Sequence, residues 1–82
     1  MNVEVAHKYC RKHRNSLEVS QKCGCFHCLK IFDPKEIVIW LNEGTGTAMC
    51  PYCGIDAILG DKDVGLLTPE FLQKMHDFWF GG

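Results

Sequence analysis

Apolar residues recur at helical spacing near both ends of the chain. Over residues 2–14 they form a narrow stripe behind Asn2, a candidate N-cap: Val3, Ala6 or His7, Cys10 and His13. Over residues 69–79 they form a wide face behind the N-cap Thr68: Phe71, Leu72, Met75, Phe78 and Trp79. The pattern predicts a helix over each range. We expect Asn15-Ser16 to end the first helix and residues 17–22 to connect it to the centre of the chain.

The centre of the chain has the composition of strands. Residues 36–41 are mainly β-branched and aromatic, residues 42–46 have the glycines of a turn, and residues 47–49 lead back. This predicts a β-hairpin, and because its first strand is apolar on both faces we expect a helix to cover one of them. Residues 54–59 are predicted to form a short helix ended by Gly60, and residues 61–65 a loop. The expected fold class is therefore α+β.

Two cysteine pairs flank the predicted hairpin, and each has two residues between its cysteines. The pairs, Cys25 with Cys28 and Cys50 with Cys53, are separated by 21 residues. Such spacing lets two turns offer four thiolates to one tetrahedral ion, which suits zinc. We therefore predict that Cys25, Cys28, Cys50 and Cys53 bind one structural zinc ion.

Disulfide bonds are the alternative use of six cysteines. Residues 1–20 contain no apolar segment of the kind found in secretory signals, and no stretch approaches the roughly 20 residues of a membrane span. Paired cysteines in that context favour metal binding in a reducing cytoplasm. Cys10 and Cys23 are left out of the predicted site. The whole chain, 1–82, is expected to form one zinc-binding domain, with a basic N-terminal part (1–22), a four-cysteine hairpin core (23–60) and a C-terminal loop and helix (61–82).

The charges are distributed unevenly, although the net charge is only -1. Four basic residues lie close together near the N-terminus, and they are Lys8, Arg11, Lys12 and Arg14. They are candidate phosphate contacts, and Trp40 would mark a protein-binding face if it is exposed. A site with four sulfur ligands leaves no open position for chemistry. We therefore expect a non-enzymatic module that binds a macromolecule, with a protein as the first choice and nucleic acid as the second.

The arrangement of a hairpin between two cysteine turns resembles zinc-ribbon and treble-clef modules. The segment Thr-Gly-Thr-Ala-Met-Cys-Pro-Tyr-Cys-Gly-Ile-Asp-Ala-Ile-Leu-Gly-Asp, residues 45–61, and the Phe-Leu-Gln-Lys-Met-His-Asp-Phe-Trp-Phe end also resemble a family of small bacterial and phage proteins, over residues 23–80. That resemblance implies a cytoplasmic zinc-binding protein and carries no established activity. A small bacterial or phage regulator or inhibitor would fit it.

Two functions of a different class use the same cysteines. Cys50-Pro51-Tyr52-Cys53 matches the active-site tetrapeptide of glutaredoxins, which predicts a thiol-disulfide redox protein if a helix follows Cys53. The Cys-Pro-Tyr-Cys-Gly turn also resembles a rubredoxin knuckle, which would imply an iron-bound electron carrier. A hydrolytic nuclease of the treble-clef type needs a histidine pair, and only His76 follows Cys53.

Overall fold

The computed structural model describes residues 2–81, and within them the α+β fold class is confirmed. The helices are α1 (Val3–Ala6), α2 (Arg14–Val19), α3 (Asp61–Val64) and α4 (Pro69–Phe80). The strands are β1 (Cys23–Cys25), β2 (Ile31–Phe32), β3 (Trp40–Leu41), β4 (Thr47–Ala48) and β5 (Ile58–Gly60). Two 3-10 turns complete the elements, over His7–Cys10 and Pro34–Glu36. No helix in this part of the chain is long and apolar enough to cross a membrane.

The strands form two small antiparallel sheets. One has the order β2-β1-β5, so that β1 is its central strand, and Gly24 lies opposite both Ile31 and Leu59. The other is the predicted hairpin, in which β3 pairs with β4 at Trp40↔Ala48 and Leu41↔Thr47. Both cysteine turns are thereby anchored to strands or to the ends of strands.

The core lies between the three-stranded sheet and the helices. Its fully buried side chains include Leu17 of α2, Ile58 and Leu59 of β5, and Leu72 and Met75 of α4. Gly24 of β1 lies where α4 packs closely on the sheet, because a Cβ there would lie 2.9 Å from a Leu72 methyl carbon and would force that side chain to shift. The sequence also predicts that Trp40, Phe71 and Trp79 belong to the core. Phe71 and Trp40 are half-buried, and Trp79 is exposed.

The predicted single helix over residues 2–14 is wrong. The α-helix ends at Ala6 and continues only as a 3-10 turn to Cys10, and Lys12 has a left-handed backbone with φ of 53°. Asn15 and Ser16 lie inside α2 rather than at a helix end. The break has a tertiary cause, because the Lys12 N–H donates to Thr47 Oγ1 of β4 at 2.8 Å.

The predictions for the segments around the second cysteine pair also need correction. Residues 54–59 do not form a helix; the chain is extended from Ile58 and pairs with β1. The following residues, expected as a loop, contain α3. The predicted strand over 36–41 is shorter, and its middle residues Val38 and Ile39 are exposed rather than covered by a helix.

The C-terminal helix is confirmed as α4. Thr68 Oγ1 accepts the Phe71 N–H at 3.1 Å, Pro69 occupies the first turn, and Gly81 ends the helix in a left-handed conformation. The sequence also predicts a frayed end at Gly81-Gly82, and Gly82 lies outside the described residues. The long helix is therefore positioned by local signals that the sequence displays.

Candidate metal centre

Two cysteine turns of nearly identical geometry form the candidate metal centre. In the first, the Leu29 N–H donates to Cys25 O at 2.8 Å and the Cys25 N–H to Lys30 O at 3.0 Å. In the second, the Gly54 N–H donates to Cys50 O at 2.9 Å and the Cys50 N–H to Ile55 O at 3.0 Å. The two turns therefore present their sulfurs in the same way.

Backbone N–H groups point at the first sulfur of each turn. Cys25 Sγ accepts from the N–H of His27 at 3.4 Å and of Cys28 at 3.5 Å, and Cys50 Sγ accepts from Tyr52 at 3.4 Å. Donors of this kind stabilise a thiolate, since hydrogen bonds to the charged form favour it. Each turn is thus built to hold negative charge on its first cysteine.

The residue after the second cysteine of each turn is left-handed. Gly54 has φ of 78° and Leu29 has φ of 69°. Glycine takes that conformation without strain, whereas a leucine there carries a steric cost. That a leucine nevertheless adopts it shows how strongly the fold imposes the same turn on both cysteine pairs.

The four sulfurs form one compact cluster. The ligand atoms of Cys25, Cys28, Cys50 and Cys53 all lie within 4.8 Å of one another. The Sγ atoms of Cys25 and Cys53 are 3.6 Å apart, and those of Cys28 and Cys50 are 3.7 Å apart. Zinc–sulfur bonds of about 2.3 Å place tetrahedral sulfurs about 3.8 Å apart, whereas a disulfide needs about 2.0 Å. The four cysteines could therefore hold a metal ion, and all six cysteines are unpaired.

Burial raises the pKa of two of the four thiols, and a bound cation would have to oppose that effect. Burial raises the pKa of Cys25 far above its usual value, and it raises the pKa of Cys53 as well. At Cys50 burial is outweighed, and the N–H groups of Tyr52 and Cys53 lower the pKa of the thiol. A divalent cation held by these cysteines would oppose the effect of burial and favour the deprotonated thiols. The donor set fits a metal that prefers sulfur.

The second turn is anchored from outside by Tyr52. Its hydroxyl donates to Glu36 Oε1, its ring packs edge-on against Phe32 at 5.4 Å, and Lys30 Nζ lies 5.2 Å from the ring centroid. Phe32 follows Cys28 by four residues, a spacing that predicts packing beneath the site, and its side chain is buried. These side-chain contacts therefore help to fix the position of the second turn.

The chain after Cys53 lacks the helix of a treble clef. A treble clef takes its second pair of ligands from the start of a helix. Here Gly54 turns the chain and β5 follows, paired with β1 from Cys25↔Ile58 to Cys23↔Gly60. A glutaredoxin-like site would need a helix directly after Cys53 to activate Cys50. No helix begins at residues 54–59, so the structure lacks that feature.

The four basic residues do not share one helix, and three of them contact the hairpin. Arg11 Nη2 pairs with Glu43 Oε2 at 2.9 Å, and the Lys12 carbonyl accepts from Thr45 Oγ1 at 3.1 Å. The Arg14 guanidinium lies 4.8 Å from the centroid of the Trp40 ring. Lys8 stands apart, with its Nζ 5.1 Å from the centroid of Tyr9. The contacts of Arg11, Lys12 and Arg14 therefore join the N-terminal segment to the hairpin.

His13 has a structural role that its sequence position does not indicate. It is buried, its Nε2 accepts the Ala48 N–H at 3.2 Å, and its Nδ1 therefore carries the proton that faces Tyr9 O. Burial lowers the pKa of His13 below its ordinary value. Only the contact between residue 13 and β4, which is distant in the chain, would have identified this role.

The two cysteines left out of the prediction are buried away from the four-sulfur cluster. Burial raises the pKa of Cys10 to about 11 and that of Cys23 to about 12. Cys23 Sγ lies 3.5 Å from Phe32 O. Both behave as small apolar residues of the core.

Comparisons of the chain with protein-family models, with curated proteins and with solved structures gave no match. The resemblance to small bacterial and phage proteins therefore has no support from these comparisons.

Proposed function

We propose that the chain is a zinc-ribbon-like module in which one structural zinc ion joins the two cysteine turns. The matched hydrogen bonding of the two turns, with sulfur separations of 3.6 and 3.7 Å, carries this proposal. Zinc is preferred because four thiolates in a tetrahedron suit it and because it requires no redox chemistry. An ion held by four sulfurs has no open position, so this centre serves the fold and is not catalytic.

Cobalt substitution tests the coordination. We expect the reduced protein to bind one Co²⁺ with the visible and near-ultraviolet bands of tetrahedral thiolate ligation, and zinc to displace it. Cys28→Ser should weaken these bands, whereas Cys10→Ala, which removes a sulfur outside the cluster, should leave them unchanged. Bands that persist in Cys28→Ser would contradict the ligand set.

Metal analysis of the purified protein and a disulfide-reduction assay separate zinc binding from the two alternatives. An iron-bound electron carrier would be purified with visible colour and with iron rather than zinc. A redox protein would reduce disulfides through Cys50 and Cys53, and its activity would survive Cys25→Ser. We expect no disulfide reduction, because no helix begins at residues 54–59 to activate Cys50. We expect zinc rather than iron, because four thiolates suit zinc and the proposed structural role requires no redox chemistry.

We further propose that the module binds a protein through the segment 38–41, on the outer side of the hairpin. Val38 is 76% exposed and Ile39 61%, and Leu41 is also exposed. The Trp40 ring beside them is half-buried under Arg14. Contiguous exposed apolar side chains mark interaction surfaces.

The hairpin leaves only one of its two outer sides free for such a partner. The outer side of β4 is covered, since the Arg14 N–H donates to Gly46 O at 3.1 Å and the Ala48 N–H to His13. Within residues 2–81, β3 pairs only with β4. An extended segment of a partner could add to the edge of β3, which is a common mode of peptide recognition.

Nucleic acid is the second choice of partner. Of the four candidate phosphate contacts, Arg11 is paired with Glu43, and Arg14 lies near Glu18 Oε2 at 3.4 Å. Their charge is thus partly neutralised within the molecule. Binding that falls steeply as salt is raised would favour nucleic acid, and salt-insensitive binding would favour a protein.

Affinity capture with matched variants tests the protein-binding surface. We expect a protein captured by the native chain to be lost with the double variant Val38→Ser/Ile39→Ser and weakened by Trp40→Ala. Val19→Ser is the control, because Val19 is 64% exposed on α2 and lies outside the segment. Equal loss with the control variant would contradict the assignment of the surface.

A further inference from the structure

The fold brings together two histidines that are distant in the sequence. His27 lies inside the first cysteine turn, and His76 lies on α4. Their ring centroids are 6.1 Å apart. The Phe80 ring lies beside both, 5.0 Å from the His27 centroid and 5.4 Å from that of His76. The pair is therefore held between the cysteine turn and the longest helix of the chain.

One ring of the pair has a fixed tautomer and a free nitrogen. His76 Nδ1 lies 3.1 Å from Phe26 O, and because a carbonyl can only accept, Nδ1 donates. The lone pair of a neutral His76 is therefore on Nε2. Histidines that bind metals commonly donate their other ring N–H to a backbone carbonyl in this way. His27 is exposed and can rotate toward its neighbour.

The separation of the rings suits one shared ion. With metal–nitrogen bonds of about 2.0–2.1 Å, two imidazoles on one ion can have centroids at most about 6.4 Å apart, and about 5 Å in a tetrahedral arrangement. The observed 6.1 Å lies within the first limit, and a tetrahedral arrangement would require the exposed His27 ring to move toward His76.

We propose that His27 and His76 form a second, open metal site for a borderline divalent ion such as Zn²⁺. Imidazole nitrogen is a preferred ligand of such ions. Within residues 2–81 the four-cysteine cluster is the only group of three or more metal-ligating side chains, so the histidine pair supplies two ligands and leaves the others to water or to an added donor. The four-cysteine centre fills first, because it offers four thiolates. This site does not depend on the protein partner proposed above.

Zinc titration of the untagged, reduced protein tests the site. Protein that already holds one zinc ion is titrated with further Zn²⁺ by isothermal calorimetry, and the ring resonances of His27 and His76 are followed by NMR. We expect a second, weaker zinc to bind and to shift the resonances of both rings.

Three variants separate ligation from folding. His27→Ala and His76→Asn should each weaken the second zinc at least tenfold; the asparagine keeps a donor near Phe26 O but removes the Nε2 ligand. His7→Ala is the control. The native His7 ring lies against Trp79, with ring centroids 4.0 Å apart, and is not part of the pair. Each variant should keep one tightly bound zinc. Absence of a second zinc in the native protein, or equal weakening by His7→Ala, would overturn the proposal.

Discussion

At the scale of single residues, His13 connects the N-terminal segment to the hairpin through both of its ring nitrogens. One side chain thereby satisfies the Ala48 N–H and the Tyr9 carbonyl in the interior. Removing the acceptor would leave a buried N–H without a partner, and burial makes the charged ring unfavourable. Both effects concern the free energy of unfolding.

We predict that His13→Asn lowers the free energy of unfolding by roughly 1–3 kcal/mol at pH 7.5, because it orphans the Ala48 N–H. The folded-state pKa of His13 lies below the ordinary value of 6.5. Its contribution is therefore complete above that pH and is lost as the pH falls through the folded-state pKa, where the unfolded chain binds the extra proton. Urea unfolding of the zinc-loaded protein between pH 7.5 and 5.5 measures both effects.

The native protein and His13→Asn share every other titrating group, including the cysteine ligands. Subtracting one pH profile from the other therefore isolates the histidine. Parallel profiles would contradict a neutral, buried His13.

A second prediction concerns the left-handed residues of the cysteine turns. Gly54→Ala should cost about 1 kcal/mol, because φ is 78° and a Cβ there meets no atom within 4 Å, so that only backbone strain remains. D-Alanine at the same position, introduced by chemical ligation, should instead match or exceed the native stability. Thermal unfolding of the zinc-loaded proteins compares them, and a D-alanine variant as unstable as the L-alanine one would disprove the turn geometry.

At the scale of elements, α4 depends on its N-cap. Thr68→Ala should destabilise the protein by about 1 kcal/mol, because the Phe71 N–H loses its acceptor, whereas Thr68→Ser keeps the oxygen and should cost little. Denaturant unfolding of the two variants provides the comparison. Equal losses would mean that the threonine methyl group, and not the cap, matters.

The elements that the sequence predicts correctly are those whose signals are local. Thr68, Pro69 and the wide apolar face specify α4, and the two-residue spacing specifies each cysteine turn. In contrast, Ile58 and Leu59 follow a stretch that is equally compatible with a helix, and only their pairing with β1 makes them a strand.

The single N-terminal helix that the pattern predicts is also wrong because of a contact between distant segments. Hydrogen bonds from the hairpin fix Lys12 in a left-handed conformation, and no residue near Lys12 in the sequence signals this break. The histidine pair was missed because it forms only when α4 packs beside the first cysteine turn. Contacts between distant segments thus decide what the local pattern leaves open.

At the scale of the whole molecule, the metal centre joins two cysteine turns that the hairpin separates in the sequence. The first cysteine turn follows β1, whereas the second leads from β4 toward β5. One cysteine pair precedes the hairpin in the sequence and the other pair follows it. One ion bound by all four sulfurs would therefore connect both sheets. A chain of 82 residues buries a limited core, and a structural zinc can add roughly 10 kcal/mol or more to its folding free energy.

Metal content and folding, measured on the same reduced sample, test this account most directly. Elemental mass spectrometry should find one zinc per chain, and circular dichroism should show that chelation unfolds the protein and that zinc restores it, with Cys10→Ala behaving like the native chain. A protein that contains no zinc, or that keeps its fold when zinc is removed, would contradict the account.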